Sequence, residues 1–193
     1  VTSSGSWEGK STVIANTAAV MAQQGLRVLL VDADLRKPTV AKTFNINTTV
    51  GLTSLLTDRD ANIMDTVNYV ADANIYILAA GPIPPNPSEL LGSNRMAELI
   101  GELEEMFDLV IFDTPPILAV TDAQVVATRV DGVIVVVRSG IANKNEVRKT
   151  KDLLDVVNAN VIGAVYNGED ANKLGYGYGY GYGYGYGQSE TSK

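Results

Sequence analysis

Residues 4–12 of the chain read SGSWEGKST, which is a nearly complete phosphate-binding loop. The general pattern is G-x-x-x-x-G-K-[ST], and only its first glycine is replaced, by Ser4. A strand-like Val1-Thr2 precedes the loop, and apolar residues at helical spacing follow it as far as Gly25. In a strand–loop–helix unit of this kind, the backbone N–H groups of the loop and the helix N-terminus form a cradle for an anion. This stretch therefore decides the fold that the rest of the chain has to complete.

The loop supplies residue types that suit a nucleoside triphosphate. Gly9 allows close approach of the backbone, Lys10 can reach the β- and γ-phosphates, and Ser11 can ligate Mg²⁺. Glu8 and Thr12 complete the loop residues that we predict to bind the nucleotide. Taken alone, the imperfect motif is also compatible with a chance Gly-Lys-Ser at the start of a helix.

Short apolar runs recur along the chain and predict strands that are buried on both faces. They lie at residues 28–31, 75–78, 109–112, 133–137 and 161–165. Helical patterns separate them, and two of these cover residues 88–107 and 143–158. The alternation predicts an α/β protein of the P-loop NTPase type, with a mainly parallel β-sheet and helices on both faces. The four prolines of residues 81–87 predict a rigid, extended loop that interrupts this rhythm.

Acidic residues end two of the predicted strands. Asp32 and Asp34 follow the run at 28–31, and Asp113 follows the run at 109–112. In an open parallel sheet, ligands bind outside the carboxyl ends of the strands, so both acidic motifs face the edge where the phosphate loop lies. Carboxylates, a hydroxyl and phosphates are ligands that Mg²⁺ prefers. Each aspartate alone could be an ordinary turn residue, but the three motifs in this order predict a nucleoside-triphosphate site.

Asn167 follows the last apolar run after one more residue. Its amide offers a donor and an acceptor that suit a purine edge. Related ATPases use an asparagine in the same Gly-x-Val-x-Asn context for the base, so we predict that Asn167 binds the nucleotide as well. Arg138, at the end of the preceding run, is a further candidate.

The composition excludes several classes of chemistry. The 193 residues include 15 Lys and Arg against 22 Asp and Glu, so the formal net charge is −7 at pH 7. This acidic balance disfavours a non-specific binder of nucleic acids. The chain has no His and no Cys, which rules out imidazole acid–base chemistry, thiol catalysis and disulfides. The chain contains no run of 18 or more apolar residues, so the sequence predicts no membrane span.

A Gly/Tyr repeat at residues 175–187 follows the predicted globular body. We divide the chain into a body at 1–168 and a flexible, disordered tail at 169–193. The tyrosines of the repeat are Tyr176, Tyr178, Tyr180, Tyr182, Tyr184 and Tyr186. Composition alone favours a low-complexity segment that is prone to β-aggregation or phase separation. Beside a body that binds nucleoside triphosphates, the tyrosines are better interpreted as phosphate acceptors, which glycine at every second position keeps mobile.

Together these motifs resemble those of the bacterial tyrosine kinases of the capsular and exopolysaccharide type. The matching segments are residues 2–4, 8–12, 32–38, 51–56, 81–91 and 112–116, with the tyrosine cluster. The sequence PPNPSELL at 84–91 and the tyrosine tail are specific features of this family, whereas a phosphate loop alone is not. The resemblance extends from residue 1 to about residue 187.

The resemblance implies roles for the residues at the strand ends. Lys10 binds and polarises the terminal phosphates, and Ser11 and Asp113 hold Mg²⁺ directly or through water. Asp32 and Asp34 hold the metal region, so the predicted metal ligands are Ser11, Asp32 and Asp113. The predicted catalytic residues are Lys10, Asp32, Asp34 and Asp113, with Asp32 as the candidate that accepts or steers the tyrosine proton.

The function implied is that of an ATP- and Mg²⁺-dependent tyrosine autokinase that phosphorylates its own tail in trans and regulates capsular or exopolysaccharide synthesis and export. The implied partners are a membrane-anchored polysaccharide co-polymerase that activates the kinase, a cognate phosphotyrosine phosphatase and further copies in a ring, but no nucleic acid. The implied location is the cytoplasm, at the inner face of the cell membrane through the activator. Each phosphate adds about −1.5 to −2 charge, so we expect phosphorylation to withdraw the tail and loosen the ring.

Three features depart from the family or stay open. Family members usually have Pro-Gly where this chain has Ser6-Trp7, so Trp7 could reshape the loop, stack on the nucleotide or a partner, or have little effect. They also carry an N-terminal segment with a subunit-contact helix, which we expect to be missing upstream of Val1. Arg36 could neutralise phosphate charge, contact another subunit or be an ordinary surface residue.

Two other functions are compatible with parts of the sequence. A partitioning-type ATPase shares this fold, but it carries a lysine near the start of the phosphate loop, and residues 3–8 contain none. A nucleotide-binding scaffold that has lost catalysis is the other alternative, with Ser6-Trp7 as the lesion.

Overall fold

A computed structural model describes residues 1–46 and 49–168 of the chain. The predicted tail with its six tyrosines lies outside the described residues, so the division of the chain at residue 168 stays a prediction. Within the described ranges, no helix combines the length and the apolar character needed to cross a membrane.

Helices and strands alternate along most of the described chain. In order, they are β1 (Thr2–Ser3), α1 (Lys10–Gln23), β2 (Val28–Asp32), α2 (Val40–Thr43), α3 (Leu52–Thr57), α4 (Ile63–Thr66), β3 (Asn68–Val70), β4 (Ile75–Leu78), α5 (Pro87–Leu91), α6 (Asn94–Met106), β5 (Leu109–Asp113), α7 (Asp122–Ala127), β6 (Val133–Arg138), α8 (Lys144–Val156) and β7 (Val161–Asn167). Each of the five predicted apolar runs forms a strand, as expected.

The strands form two hydrogen-bonded sets, with the orders β3-β4-β2-β5 and β1-β6-β7. Every pair is parallel except β3–β4, which is antiparallel. Val1 links the sets, because its amine donates to the Phe112 carbonyl at 2.7 Å and its own carbonyl accepts from the Thr114 N–H at 3.2 Å. The carboxyl ends of β1, β2, β5 and β6 consequently meet at one edge, where ligands bind in open parallel sheets.

Helices cover both faces of the central strand β2, all of whose residues are buried. Leu29 and Val31 pack in a cluster with α3 and α6, and Val28 and Leu30 pack in a second cluster with α1. Burying one such side chain contributes roughly 1.5–3 kcal/mol. The predicted α/β class, with a mainly parallel sheet and helices on both faces, is confirmed.

The prediction that all five runs are buried on both faces is wrong for β7. Val161 is 41% exposed and Ile162 is 63% exposed. In the described part of the chain β7 pairs with β6 alone, at the outer side of its set. An apolar run predicts a strand, but its position in the sheet determines how much of it is covered.

The single helix predicted over residues 88–107 is also wrong in detail, because the structure divides it into α5 and α6. Gly92 and Ser93 separate the two helices, and the Ser93 hydroxyl accepts a hydrogen bond from the Met96 N–H at 3.2 Å. Serine in this position caps a new helix better than it continues an old one. At the start of α8, Asn143 and Glu146 form a reciprocal capping box.

A close approach of two backbone segments explains Gly51. The N–H groups of Leu52 and Thr53, at the start of α3, donate to the carbonyls of Ala79 and Ala80 after β4, at 2.7 and 2.9 Å. A Cβ atom on Gly51 would lie 2.2 Å from the Ala79 carbonyl oxygen. This contact fastens α3 to the carboxyl end of β4, close to the edge that carries the acidic motifs.

A cavity of about 530 Å³ is lined by residues of β1, α1, β5, α7 and β6. Apolar residues from β5 and β6 line it, including Leu109, Ile111 and Val133. Neither the phosphate loop nor Asp32, Asp34 or Asp113 contributes to its lining, so this cavity is separate from the predicted nucleotide site.

Candidate active site

The phosphate loop connects β1 to α1 and contains two residues with left-handed backbone. Gly9 has φ +82° and directly precedes Lys10, the first residue of α1. A Cβ atom on Gly9 would lie 2.1 Å from Nδ2 of Asn167, so the position requires glycine for space as well as for its backbone conformation. Trp7 has φ 68°, which is strained for a bulky residue, and its side chain is 85% exposed.

Side chains from the β6 and β7 ends hold the loop on one side. Glu8 is buried, and its carboxylate accepts hydrogen bonds from the N–H of Gly5 and from the N–H of Arg138 at 3.2 Å. The Asn167 amide donates to the Glu8 carbonyl at 2.9 Å, and the Arg138 guanidinium donates to the Trp7 carbonyl at 3.0 Å. We call Glu8, Arg138 and Asn167 the loop clamp, because each bonds to loop backbone.

The loop meets Asp113 on its other side. The Lys10 ammonium group forms an ion pair with Oδ1 of Asp113, and the Ser11 hydroxyl donates to Oδ2 at 3.0 Å. Asp113 is the last residue of β5 and is buried. The structure therefore brings together a lysine, a hydroxyl and a carboxylate that the sequence assigned to the same site.

Asp32 is fully buried at the end of β2 and closes the loop that follows the strand. Its Oδ2 accepts from the N–H groups of Thr39 and Val40, at 3.0 and 2.9 Å, and its Oδ1 accepts from the N–H of Asp34 at 3.2 Å. Burial, with a further contribution from the nearby negative charge of Asp113, raises the pKa of Asp32 to about 7. The backbone hydrogen bonds oppose this shift but do not cancel it.

Asp34 lies further from the core and is half-buried. Its Oδ1 accepts from the N–H groups of Arg36 and Lys37, at 3.3 and 3.0 Å. Burial raises the pKa of Asp34 as well, while the backbone bond from Lys37 and the charge of Lys10 lower it. Of the two aspartates after β2, Asp34 is thus the one nearer to solvent.

Arg36 lies beside this acidic pair and is committed to a partner. Its guanidinium forms two hydrogen bonds with Asp122, a buried residue at the start of α7. The sequence reasoning missed Asp122, because an aspartate in the first turn of a helix is common and interacts favourably with the helix dipole. The contact joins positions 86 residues apart, which no local pattern reveals.

The predicted residues of the phosphate loop and of the strand ends lie at the carboxyl edge of the sheet. Lys10, Ser11 and Asp113 are in contact, and Asp32 is close enough to Asp113 for their charges to interact. Asn167 reaches the same loop, although its amide donates to the Glu8 carbonyl, so its contact with a base stays a prediction. The six predicted phosphate acceptors lie outside the described residues.

The residues present suit both a triphosphate and Mg²⁺. Two buried carboxylates and a hydroxyl are hard oxygen donors, and Lys10 carries the charge that a terminal phosphate needs. No group of three or more acidic side chains in the described ranges is arranged to hold a metal alone. In proteins, Mg²⁺ commonly binds through one or two carboxylates and completes its coordination with waters and phosphates.

Residues 5–160 match a family described as an AAA domain. The chain is 47% identical over 173 residues to tyrosine-protein kinase YwqD of Bacillus subtilis, covering 90% of this chain and 73% of that protein. It is 41% identical over 167 residues to the putative tyrosine-protein kinase CapB of Staphylococcus aureus, covering 86% and 73%. The solved kinase domain of Escherichia coli tyrosine kinase ETK superposes with a TM-score of 0.85 at 35% identity, covering 94% and 70%.

Proposed function

The chain belongs to the family of bacterial tyrosine-protein kinases, and on this basis we propose that it transfers the γ-phosphoryl group of ATP to tyrosine hydroxyls, including those of its own Gly/Tyr repeat. The observation that carries the proposal is the contact of Lys10 and Ser11 with the buried Asp113. It places a cation, a hydroxyl and a carboxylate at the mouth of the phosphate loop. Phosphoryl transfer depends mostly on such positioning and on neutralising charge.

The chain's own residues perform the binding part of the reaction. The loop backbone and the N-terminus of α1 hold the phosphates, and the Lys10 ammonium group neutralises the terminal ones. Mg²⁺, held by Ser11, Asp113 and Asp32, would supply further neutralisation of the phosphate oxygens. The loop clamp keeps the loop backbone in the conformation that presents its N–H groups.

The acidic pair after β2, Asp32 and Asp34, acts on the acceptor tyrosine. The tyrosine hydroxyl loses its proton to a carboxylate, its oxygen forms the new bond to the γ-phosphorus, and the bond to the β–γ bridging oxygen breaks to release ADP. Asp32, buried at the end of β2, is the candidate that accepts or steers this proton. Asp34, which is less buried, would guide the phenol towards it.

The finer biology follows from the resemblance of the motifs. We place the kinase in the cytoplasm at the inner face of the membrane, where a membrane-anchored polysaccharide co-polymerase activates it. Copies of the chain phosphorylate each other's tails within a ring, and a cognate phosphatase reverses the reaction. The output is control of capsular or exopolysaccharide synthesis and export.

Incubation of the protein with labelled ATP and Mg²⁺, together with the activating membrane segment, tests the function. We expect phosphotyrosine confined to residues 176–186 and its loss in Lys10→Met. Lys151→Met is the matched control, because Lys151 also pairs with an aspartate, Asp155, but is exposed on α8. Phosphate release without phosphotyrosine would instead indicate a partitioning-type ATPase, and tight nucleotide binding with neither product would indicate a scaffold.

A further inference from the structure

We propose that Asp122 is a positioning residue for the kinase reaction: through Arg36, it fixes the loop between β2 and α2 that presents Asp34 to the acceptor tyrosine. This inference rests on the function proposed above. Asp122 belongs to none of the motifs that identify the site. Its helix, α7, contains no other residue that we assign to the site.

The contacts of Asp122 join three parts of the fold. Its Oδ2 accepts from Nε of Arg36 at 2.8 Å and its Oδ1 accepts from Nη2 at 3.0 Å, so the planar guanidinium is held at two points. The Ser88 hydroxyl in α5 also donates to Oδ1. The same Nη2 of Arg36 donates to the Ser88 oxygen at 3.1 Å, which closes a triangle of hydrogen bonds.

The triangle determines where Asp34 lies, because the backbone of Arg36 is part of the acidic loop. The N–H of Arg36 and the N–H of Lys37 both donate to the Asp34 carboxylate. Asp32 fastens the two ends of the same loop through the N–H groups of Asp34, Thr39 and Val40. The segment is thus fixed at its ends by Asp32 and at its middle by the Arg36 side chain.

The pair is electrostatically strong although Asp122 is buried. Burial alone would raise the pKa of Asp122, but the hydrogen bonds from Arg36 and Ser88 outweigh it and lower the pKa instead. The carboxylate therefore stays ionised, and it offers the guanidinium a fixed charge. The Arg36 side chain is 40% exposed, so without the Asp122 charge it can turn to water and release the loop that carries it.

The chain path links this pair to the metal side of the site. α7 begins nine positions after Asp113, at the end of the segment that leaves β5. The Arg36–Asp122 contact therefore ties the segment after Asp113 to the loop after Asp32. This contact holds the segment that binds ATP and the loop that binds the acceptor tyrosine in a fixed relative position. A misplacement of about 1 Å can reduce a rate by about 100-fold.

Asp122→Asn tests the assignment, since it keeps the shape and removes the charge. We expect the rate of tyrosine phosphorylation at saturating ATP to fall by about 100-fold, while the Kd for ATP changes by less than about threefold. Hydrogen exchange should accelerate in residues 33–39 and stay unchanged in residues 5–12. Adding Arg36→Gln to Asp122→Asn should cause no further loss, because the two residues act as one unit.

Glu102→Gln is the matched control. Glu102 also pairs with a guanidinium, that of Arg95, which further donates to the Leu55 carbonyl, but this pair joins α6 to α3 and does not touch the acidic loop. We expect no change in the rate or in the exchange of residues 33–39.

The outcomes separate this inference from the proposed function. Two outcomes with an active wild-type protein would overturn the positioning role alone. In one, Asp122→Asn is as active as the wild type. In the other, Asp122→Asn loses ATP affinity and phosphorylation rate to the same extent. So would a loss of rate that only follows the folded fraction, as measured with Glu102→Gln. A wild-type protein that forms no phosphotyrosine would overturn both.

Discussion

The two sides of the phosphate loop use polar groups in opposite ways. On the β2 and β5 side, Asp32 and Asp113 are buried carboxylates whose charges repel each other, and the pKa of Asp32 rises to about 7. On the β6 and β7 side, the loop clamp consists of Glu8, Arg138 and Asn167, each of which makes a hydrogen bond with loop backbone. The carboxylate side places two acidic groups close together with Lys10 paired to one of them, whereas the clamp side consists of hydrogen bonds to backbone.

This difference indicates that one side of the loop takes part in the chemical step and the other preserves the shape of the loop. Groups that must respond to a substrate are kept in an unfavourable environment, from which an added cation or proton relieves them. Groups that must preserve a shape are paired within the chain. Variants on the carboxylate side should therefore reduce the chemical rate, and variants on the clamp side should reduce affinity or stability.

The largest effect is expected for Asp113→Asn. Lys10 and Ser11 both bond to this carboxylate, so its loss removes their common partner and one predicted Mg²⁺ ligand. We expect the phosphorylation rate to fall by about 100- to 1,000-fold, measured as phosphotyrosine formed from labelled ATP. Asp155→Asn, which removes the partner of the exposed Lys151, should leave the rate unchanged. Full activity of Asp113→Asn would contradict the assignment of the chemical step to the buried carboxylates.

A smaller effect on a different quantity is expected for Asn167→Ala. The variant removes the hydrogen bond to the Glu8 carbonyl, so the loop backbone loses one support. We expect the Kd for ATP to rise by about tenfold, which corresponds to roughly 1.4 kcal/mol, with little change in the rate at saturating ATP. Calorimetric titration measures the affinity.

Asn160→Ala is the control for this variant, because Asn160 also donates its amide to a backbone carbonyl, that of Asp131 at 2.7 Å, but near the other end of β7. If both variants weakened ATP binding equally, the clamp would have no specific role. If Asn167→Ala reduced the rate at saturating ATP more than the affinity for ATP, Asn167 would contribute to the chemical step as the carboxylates do.

The smallest effect is expected for Trp7→Gly. Glycine adopts the left-handed conformation of this position without strain, whereas an L residue loses about 1–2 kcal/mol there. Because glycine also loses more entropy on folding, we expect a net stabilisation of about 0.5–1 kcal/mol in urea unfolding. Asn158→Gly should gain less, since asparagine tolerates its φ of 52°. A destabilised Trp7→Gly would show that the indole contributes contacts to the loop.

The sequence predicted the parts of this fold and site that depend on local patterns. Apolar runs located the strands, and the phosphate-loop and strand-end motifs predicted that Lys10, Ser11, Asp32 and Asp113 lie at one edge of the sheet. β2 and β7 show the limit of the method, because similar apolar runs form a fully buried strand and an exposed one. Burial depends on which strands and helices become neighbours, and that information is distributed over the whole chain.

The same limit explains the residues that were missed. Asp122 gains its role from Arg36, 86 positions earlier, and from Ser88, 34 positions earlier. Neither separation is a helical or strand period, so no periodicity argument connects them. The division of residues 88–107 into two helices was missed because apolar residues lie on both sides of Gly92 and Ser93, while the cap that separates the helices is a single hydroxyl.

Trp7 gives the phosphate loop an optical signal of its own. It is the only tryptophan among the 193 residues, so emission excited beyond the absorption of tyrosine comes from this loop and nowhere else. The indole is 85% exposed, and it sits one residue before the buried Glu8 that anchors the loop. Arrival of a nucleotide or of an acceptor peptide can therefore be followed in real time by quenching or by a shift in emission colour, in the unlabelled protein and without a coupled assay.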